Sequence, residues 1–364
     1  MKEKIFIADD NLQHIINKKN LPVGGASVQS YSWYKGFQNI YDVKVLSELN
    51  EHSEKHKNIL NFTSQNSKYF GFIYKLISIN KILKKEKPKA IFVSVAGLNA
   101  FIFGTLCKLN NIIYIQRISN DITFAPNIYK KKLGFIKYNL AILGIKKSDI
   151  ILCQNKTQFN NIEKHVSSSV IHIIYNPFIV ENKLVKNDNR NYVAWLGLFQ
   201  YQKNMTLLLD ITKKLGNVDF KIAGKEIKNI DSESKQALLE LKKLHNVEFV
   251  GLIDREKVFT FLNNAKCLLN TSRYEGFSNT FLESFSTNTP VVTTKKIDPD
   301  NIISTNKLGF IAKENQGLVN LISEVYNKLD HNNFNSRLYL EKEHSPDVLA
   351  KKVSLILEKS LNDK

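Results

Sequence analysis

Acidic residues are scarce in this chain. Only 34 Asp and Glu stand against 52 Lys and Arg, a formal charge of +18. Cysteine is scarcer still. Cys107, Cys153 and Cys267 lie far apart, each in an apolar setting. An odd count without local pairing argues against a disulfide framework, so they are expected as reduced core residues. The eight histidines form no cluster at metal-ligand spacing, and no zinc site is expected. No apolar run reaches the ~18 residues of a membrane span. The opening Met1-Lys2-Glu3-Lys4-Ile5-Phe6-Ile7 turns acidic at Asp9-Asp10. It reads as a first strand and not as a signal peptide, so a cytoplasmic protein is expected.

What is present is a soluble globular composition, 43% hydrophobic and 24% charged over 364 residues, a length that favours two domains. The positive charge is unevenly placed. Residues 1–180 hold 25 Lys and Arg against 11 Asp and Glu, a balance of +14; the remainder holds 27 against 23, or +4. A basic N-terminal half attracts anionic partners, either nucleic acid or anionic lipid. General solubility, with lysine inflated by codon bias, is the plainer account.

In the N-terminal half, Ile5–Ala8 reads as a buried strand, and Pro22-Val23-Gly24-Gly25-Ala26-Ser27 opens a helix to about Ile40. Two glycines before a helix signal a phosphate or a close backbone approach, or only a turn. A helix is expected over 68–87, ended by Pro88. Its apolar residues include Phe72, Ile73, Leu76, Ile79 and Leu83, and its polar face is rich in lysine. Strands follow at 90–95 and 112–115. The second ends in Gln116-Arg117-Ile118-Ser119-Asn120-Asp121, a polar cluster where ligands bind in open α/β sheets. Residues 129–138 mix Lys130, Lys131 and Lys132 with aromatic and aliphatic side chains, as a segment on a membrane surface does, or a packed helix with solvated lysines. Strands at 150–153 and 171–174 complete a parallel, doubly wound pattern. The expected boundaries are an N-terminal domain over 1–180, a polar linker over 181–190 and a C-terminal domain over 191–364.

In the C-terminal half the alternation restarts at Tyr192–Leu196. That strand runs into Gly197-Leu198-Phe199-Gln200-Tyr201-Gln202-Lys203-Asn204, with a helix from Met205. A lysine there either contacts a diphosphate as a point charge or is an ordinary surface lysine. Phe220–Ala223 ends in Gly224-Lys225, and Glu248–Val250 in Gly251. The densest signal is Arg273-Tyr274-Glu275-Gly276-Phe277-Ser278-Asn279-Thr280-Phe281-Leu282-Glu283, between the apolar runs 267–270 and 290–293. It reads as strand, turn, helix and strand, with Ser278 as N-cap and Phe281, Leu282 and Phe285 facing inward. The first-turn amides and the helix dipole make an anion site. Gly276 admits a ligand close to the backbone. Glu275 and Glu283 flank that site, roughly 7 Å apart along the axis by the helix rise. They suit sugar hydroxyls, or are two solvated glutamates at a helix start, where acids are favoured anyway.

Glu275 to Glu283, with Gly-Phe-Ser-Asn between and Pro290-Val291-Val292 after, resembles the E-x7-E motif of family 4 retaining glycosyltransferases. The likeness runs in good order from about Tyr192 to Gly309-Phe310 and rests more lightly on Gly24-Gly25, the Arg117–Asp121 cluster and Asn176-Pro177. It implies the GT-B fold, two facing Rossmann-like domains with parallel sheets and an interdomain cleft, in which the last helix can pack back on the N-terminal domain. It also implies transfer of a sugar from a nucleotide-sugar, UDP before GDP, to an acceptor hydroxyl without a metal or other cofactor. Lys203 matches the phosphate-binding lysine, and Glu275 is the expected catalytic carboxylate, holding the donor sugar. Gly25, Gly197, Gly224, Gly276, Phe277, Ser278, Asn279 and Glu283 are implied donor contacts, Glu283 at the ribose. Arg117, Asn120 and Asp121 are acceptor-side candidates.

Three positions depart from the family pattern. Leu198 stands where it has arginine, with Arg117 and Arg273 as candidate replacements. No histidine occurs in Gln116–Asp121. Asn288 replaces a glycine, a mild change because Asn tolerates a left-handed backbone. With the basic N-terminal half, the resemblance implies a glycan or lipid-linked acceptor at the inner face of a bacterial membrane, in surface-polysaccharide assembly such as capsule or lipopolysaccharide. Other readings are a catalytically silent nucleotide-sugar-binding subunit, an epimerase that lacks the expected histidine, and a nucleic-acid binder supported by charge alone. No nucleic-acid partner is expected.

Overall fold

The computed structural model describes residues 2–19, 24–50, 53, 56–63, 71–119, 134–180, 187, 189–330 and 334–362. The chain divides into two compact units. One holds Met1–Ile179 and Glu343–Lys364, the other Val180–Lys342.

In the first unit the strands are β1 (Lys4–Ala8), β2 (Asp42–Glu48), β3 (Ile59–Phe62), β4 (Ala90–Val93), β5 (Ile113–Arg117), β6 (Ile150–Cys153) and β7 (Ile171–Ile173). They form one parallel sheet in the order β3-β2-β1-β4-β5-β6-β7. The helices are α1 (Leu12–Ile16), α2 (Gly25–Gln38), α3 (Gly71–Glu86), α4 (Leu98–Leu109), α5 (Phe135–Ile145) and α6 (Lys156–Ile162). Both faces of the sheet are covered, which is why β4 and β6 are apolar without alternation. Ile5 and Ile7 of β1 face a core with Trp33 and Phe37 of α2; Phe6 faces the opposite core, with Ile79 of α3 and Phe103 of α4.

In the second unit the elements run β8 (Tyr192–Phe199), α7 (Met205–Lys214), β9 (Phe220–Glu226), α8 (Ser232–Leu241), β10 (Val247–Gly251), α9 (Arg255–Asn263), β11 (Ala265–Leu269), α10 (Asn279–Ser286), β12 (Val291–Thr294), α11 (Ile302–Thr305), β13 (Gly309–Ala312), α12 (Gly317–Lys328) and α13 (Ser336–Glu343). The sheet order is β10-β9-β8-β11-β12-β13, again parallel. These are the two parallel-sheet Rossmann-like units of the GT-B fold.

Two local features carry the boundaries. Arg190, in the stretch expected as linker, is buried in the second unit, donating to Ala265 O at 3.0 Å, Thr289 Oγ1 at 2.6 Å and Thr287 O at 2.9 Å. The chain then returns to the first unit through α14 (Pro346–Asn362), which packs on α2. Leu349, Val353 and Leu357 join the core of Trp33 and Phe37, and Tyr41 OH meets Ser354 Oγ at 2.6 Å. Gly36 is required at the crossing, because a Cβ there would run into the Pro346 carbonyl.

Candidate functional site

In both sheets the strand order reverses once, between β1 and β4 in the first and between β8 and β11 in the second. Open α/β sheets bind ligands outside the strand carboxyl ends at that reversal. In the second unit the two loops leaving β8 and β11 carry Lys203 and Glu275, and their side chains form an ion pair that is nearly buried. Seventy-two residues separate them in sequence.

The two loops are stitched together. Thr271 Oγ1 donates to the Lys203 carbonyl at 2.7 Å and receives Trp195 Nε1 at 3.0 Å. Arg273 N donates to Gln202 O at 2.8 Å. Ser272 Oγ donates to Glu275 Oε1 at 2.8 Å, and Gln202 Nε2 reaches Glu275 Oε2 at 3.4 Å. Trp195, Gln202, Thr271 and Ser272 were not legible as site residues. Their only sequence signal is proximity to Lys203 and Glu275.

The glycines have distinct jobs. A Cβ on Gly197 would press on the Lys203 stem and on the Trp195 ring, each at 3.3 Å, so the lysine lies over this glycine. Gly224 sits opposite Gly197 across β8 and β9, at φ +153°, and a Cβ there would collide with the Gly197 carbonyl oxygen.

Helix α10 begins after the turn, with Gly276, Phe277 and Ser278 buried before it. Phe281, Leu282 and Phe285 are fully buried, as the pattern requires. Ser278 stands at the N-cap, as expected, without the side-chain bond of a cap. Ser278 has the extended backbone of an N-cap, but its hydroxyl meets Thr280 Oγ1 at 2.9 Å and caps no amide. The N-cap side chain thus does not occupy the helix start, where the positive end of the dipole favours an anion. Asn279 is the first helical residue.

Glu283 stands on the same helix, and its carboxylate accepts no hydrogen bond among the described residues. Burial pushes its carboxyl up to about 7, against the pull of Arg255 and Lys203.

Of the arginine candidates for the Leu198 position, one lies in each unit. Arg273 stacks on the Tyr201 ring at 4.4 Å, bonds Tyr201 O at 3.2 Å and pairs with Glu233. Arg117 lies in the first unit, fully buried at the end of β5, donating to Asn176 Oδ1. Burial lowers its guanidinium to about 9, and its Nε and Nη1 have no partner among the described residues. Lys225, which sequence reasoning passed over, is the register partner of Leu198 and is exposed. Paired residues share a sheet face, so a cation does stand on the Leu198 side.

Gly25 opens α2 after an extended Gly24, around which a Cβ would meet nothing within 4 Å. Asp9, at the end of β1, accepts from Ser27 Oγ at 2.9 Å and ties this helix start to the sheet. Asn120, Asp121 and Lys130–Lys132 lie outside the described residues. Asn288, in the family's glycine position, has φ +52°. Among the described residues no three His, Cys, Asp or Glu converge on a metal position.

Residues 179–339 match the family model for glycosyl transferases group 1. Over 320 residues the chain is 28% identical to an uncharacterized glycosyltransferase of Methanocaldococcus jannaschii, covering 79% of this chain and 77% of that protein. Over 227 residues it is 26% identical to the amylovoran biosynthesis glycosyltransferase AmsD of Erwinia amylovora. That alignment covers 58% of this chain and 60% of the relative, less than two thirds of its length. Among solved structures, Anabaena HepE in complex with UDP matches with TM-score 0.77 at 13% identity, over 98% of this chain and 100% of that one. At such identity the likeness speaks to fold alone.

Proposed function

We infer that this chain, with a glycosyl transferases group 1 match over residues 179–339, moves a sugar from a UDP-sugar to a hydroxyl of a glycan, with retention of anomeric configuration. The observation that carries this reading is the Lys203–Glu275 pair at the sheet reversal, beside the uncapped start of α10. A UDP-bound protein of the same fold and a relative named for amylovoran biosynthesis support the donor and the acceptor class.

In this reading the bond between the anomeric carbon and the diphosphate oxygen breaks. The acceptor oxygen bonds that carbon, and its proton leaves with the diphosphate. Negative charge grows on the diphosphate as it departs. Lys203, the amides at the start of α10 and Lys225 are the groups assigned to hold it, and turnover is expected without added divalent metal. Lys225 then supplies the cation missing at Leu198. Glu275 turns to a hydroxyl of the donor sugar, and Glu283 accepts from the ribose hydroxyls. Arg117, in the first unit, is assigned to the acceptor side. The acceptor is a lipid-linked glycan in surface-polysaccharide assembly.

Calorimetric titration with UDP, GDP, ADP and CDP, without metal, tests this reading. UDP is expected to bind most tightly, and Lys203→Ala or Glu283→Ala to weaken it tenfold or more, about 1.4 kcal/mol. Binding of none of the four would overturn the donor-site assignment. Leu198 also suits a subunit that binds the donor without turnover. Loss of transfer in Glu275→Ala, in a wild type that transfers, decides for the enzyme.

A further inference from the structure

Two polar side chains of the first unit hold buried atoms without a partner among the described residues. One is Arg117 at the end of β5, which is 1% exposed and leaves Nε and Nη1 unpaired. The other is Asp9, just past β1, which leaves a buried Oδ2 unpaired. Asp9 is held by its other oxygen. Oδ1 accepts from Ser27 Oγ at 2.9 Å and from the amides of Asn11 at 3.0 Å and Leu12 at 3.2 Å.

The sheet brings the two residues to one place. Ala8 of β1 is in register with Val93 of β4, and Val93 with Gln116 of β5. One residue further along stand Asp9, Ser94 and Arg117. Ile7, Phe92 and Ile115, two residues before each, all face the core of Trp33 and Phe37. Alternation therefore puts the three on the α2 face of the sheet, at the strand carboxyl end, where open α/β sheets bind ligands. Two contacts tie α2 to that row. Ser27 bonds Asp9, and Ser30 Oγ meets Ser94 Oγ at 2.8 Å.

Asp9 and Arg117 do not pair with each other. Two strand spacings, about 10 Å, separate their backbones. The guanidinium is drawn the other way, its Nη2 donating to Asn176 Oδ1 beyond β7. What surrounds Arg117 is buried and neutral. Gln116 Nε2 donates to Val93 O at 3.1 Å and to Arg117 O at 2.8 Å, and Gln154 Nε2 donates to Ile118 O at 2.7 Å. No described acid offsets the burial of the guanidinium. A guanidinium stays charged at neutral pH, and a buried charge is costly until an opposite charge meets it. A carboxylate or a phosphate supplies that charge, with charge-assisted hydrogen bonds; a hydroxyl does not. Asp9 Oδ2 asks for the converse, a donor, which a sugar hydroxyl is.

We propose that the acceptor glycan is acidic at the sugar bound here: Arg117 takes its anionic oxygen group, a carboxylate or a phosphate, and Asp9 Oδ2 takes one of its hydroxyls. The Asp9 carboxylate repels the anionic group, so such a sugar enters in one orientation. The proposal rests on the reading of the first unit as the acceptor side and names the chemical class of that acceptor.

The test is a ligand-observed NMR titration of the full chain with methyl β-D-glucuronide, methyl β-D-glucoside and methyl β-D-glucoside 6-phosphate, with inorganic phosphate as a further probe. A charged glycoside is expected to bind about tenfold more tightly than the neutral one. Either charged glycoside in the lead supports the proposal: the glucuronide names a uronate as the source of the charge, the phosphorylated glucoside a sugar phosphate. Arg117→Met should erase the preference and Arg117→Lys reduce it. Asp9→Asn, which keeps an oxygen for the Ser27 and amide bonds, should weaken charged and neutral glycosides alike. Melting temperature reports folding, and Arg117→Met should hold or raise it, since an apolar side chain removes the cost of the unpaired charge. Equal binding of the glycosides by the wild type overturns the proposal, as does an undiminished preference in folded Arg117→Met or Arg117→Lys. Free phosphate binding as tightly as the phosphorylated glucoside would show an oxyanion site without a sugar and overturn it as well. No nucleotide enters these titrations. Glycosides of equal affinity leave the donor site standing, and failure to bind UDP leaves the acidic-sugar site standing.

Discussion

Lys203 and Glu275 satisfy each other, so a diphosphate must compete for the lysine with a carboxylate already in place. Both side chains are nearly buried, which makes that competition stronger than at a surface. Glu275→Gln keeps the shape and removes the competing charge. It is expected to raise UDP affinity by about tenfold, 1.4 kcal/mol, while lowering sugar transfer by about 10²-fold. A loss of both, measured by calorimetry and by turnover, would show Glu275 acting only as a support for the loop. Glu283 adds a pH signature. Burial raises its carboxyl to about 7, so it holds a proton below that pH and is a carboxylate above it. Only the carboxylate accepts from both ribose hydroxyls. UDP affinity should therefore rise with pH through about 7 and level off above. The nucleotide's own phosphate also titrates, but Glu283→Gln shares that effect, so the difference between the two pH profiles isolates the glutamate.

At the scale of elements, β8 and β9 are held at a spacing that only glycine permits. Gly224→Ala is expected to destabilise the second unit by about 2 kcal/mol or more, from positive φ and the collision with the Gly197 carbonyl, read as a lower denaturant midpoint. Gly197→Ala meets only the flexible end of Lys203 and the edge of Trp195, so stability should hold while UDP affinity falls. The helix start of α10 shows the limit of local rules. Ser278 has the residue type and the backbone of a cap, yet Thr280 takes its hydroxyl. Helix α3 shows the same limit at longer range. Its apolar residues are consistent with a 3.6 period, but whether Phe72 and Ile73 have anything to pack against depends on where β3 and α4 lie.

At the scale of the molecule, α14 returns from the second unit to complete the core of the first. Leu349, Val353 and Leu357 are each within 1% of full burial, at roughly 1.5–3 kcal/mol apiece. That sum is comparable with the roughly 5–15 kcal/mol that holds a domain together. A chain ending at Lys342 should lose the cooperative unfolding of the first unit, with Trp33 fluorescence reporting it, even though that unit's sheet remains intact in sequence.

The repeated strand–helix alternation, hence two parallel sheets, was legible in the order of residues, and Lys203, Glu275, Gly224 and Glu283 stood out individually. Such signals are local: apolar runs, glycines at strand ends, a motif within eleven residues. Strands β2 and β3 have no counterpart among the expected strands, because Lys44 and Asn61 interrupt short apolar runs. That Lys203 and Glu275 touch, that Arg273 is held by Glu233 and Tyr201, and that Lys225 stands beside Leu198 emerges from the folded arrangement. The order of strands across a sheet is not written in any one of them. It follows from how helices cover the faces, and at the β8–β11 reversal it joins two loops seventy-two residues apart into one site.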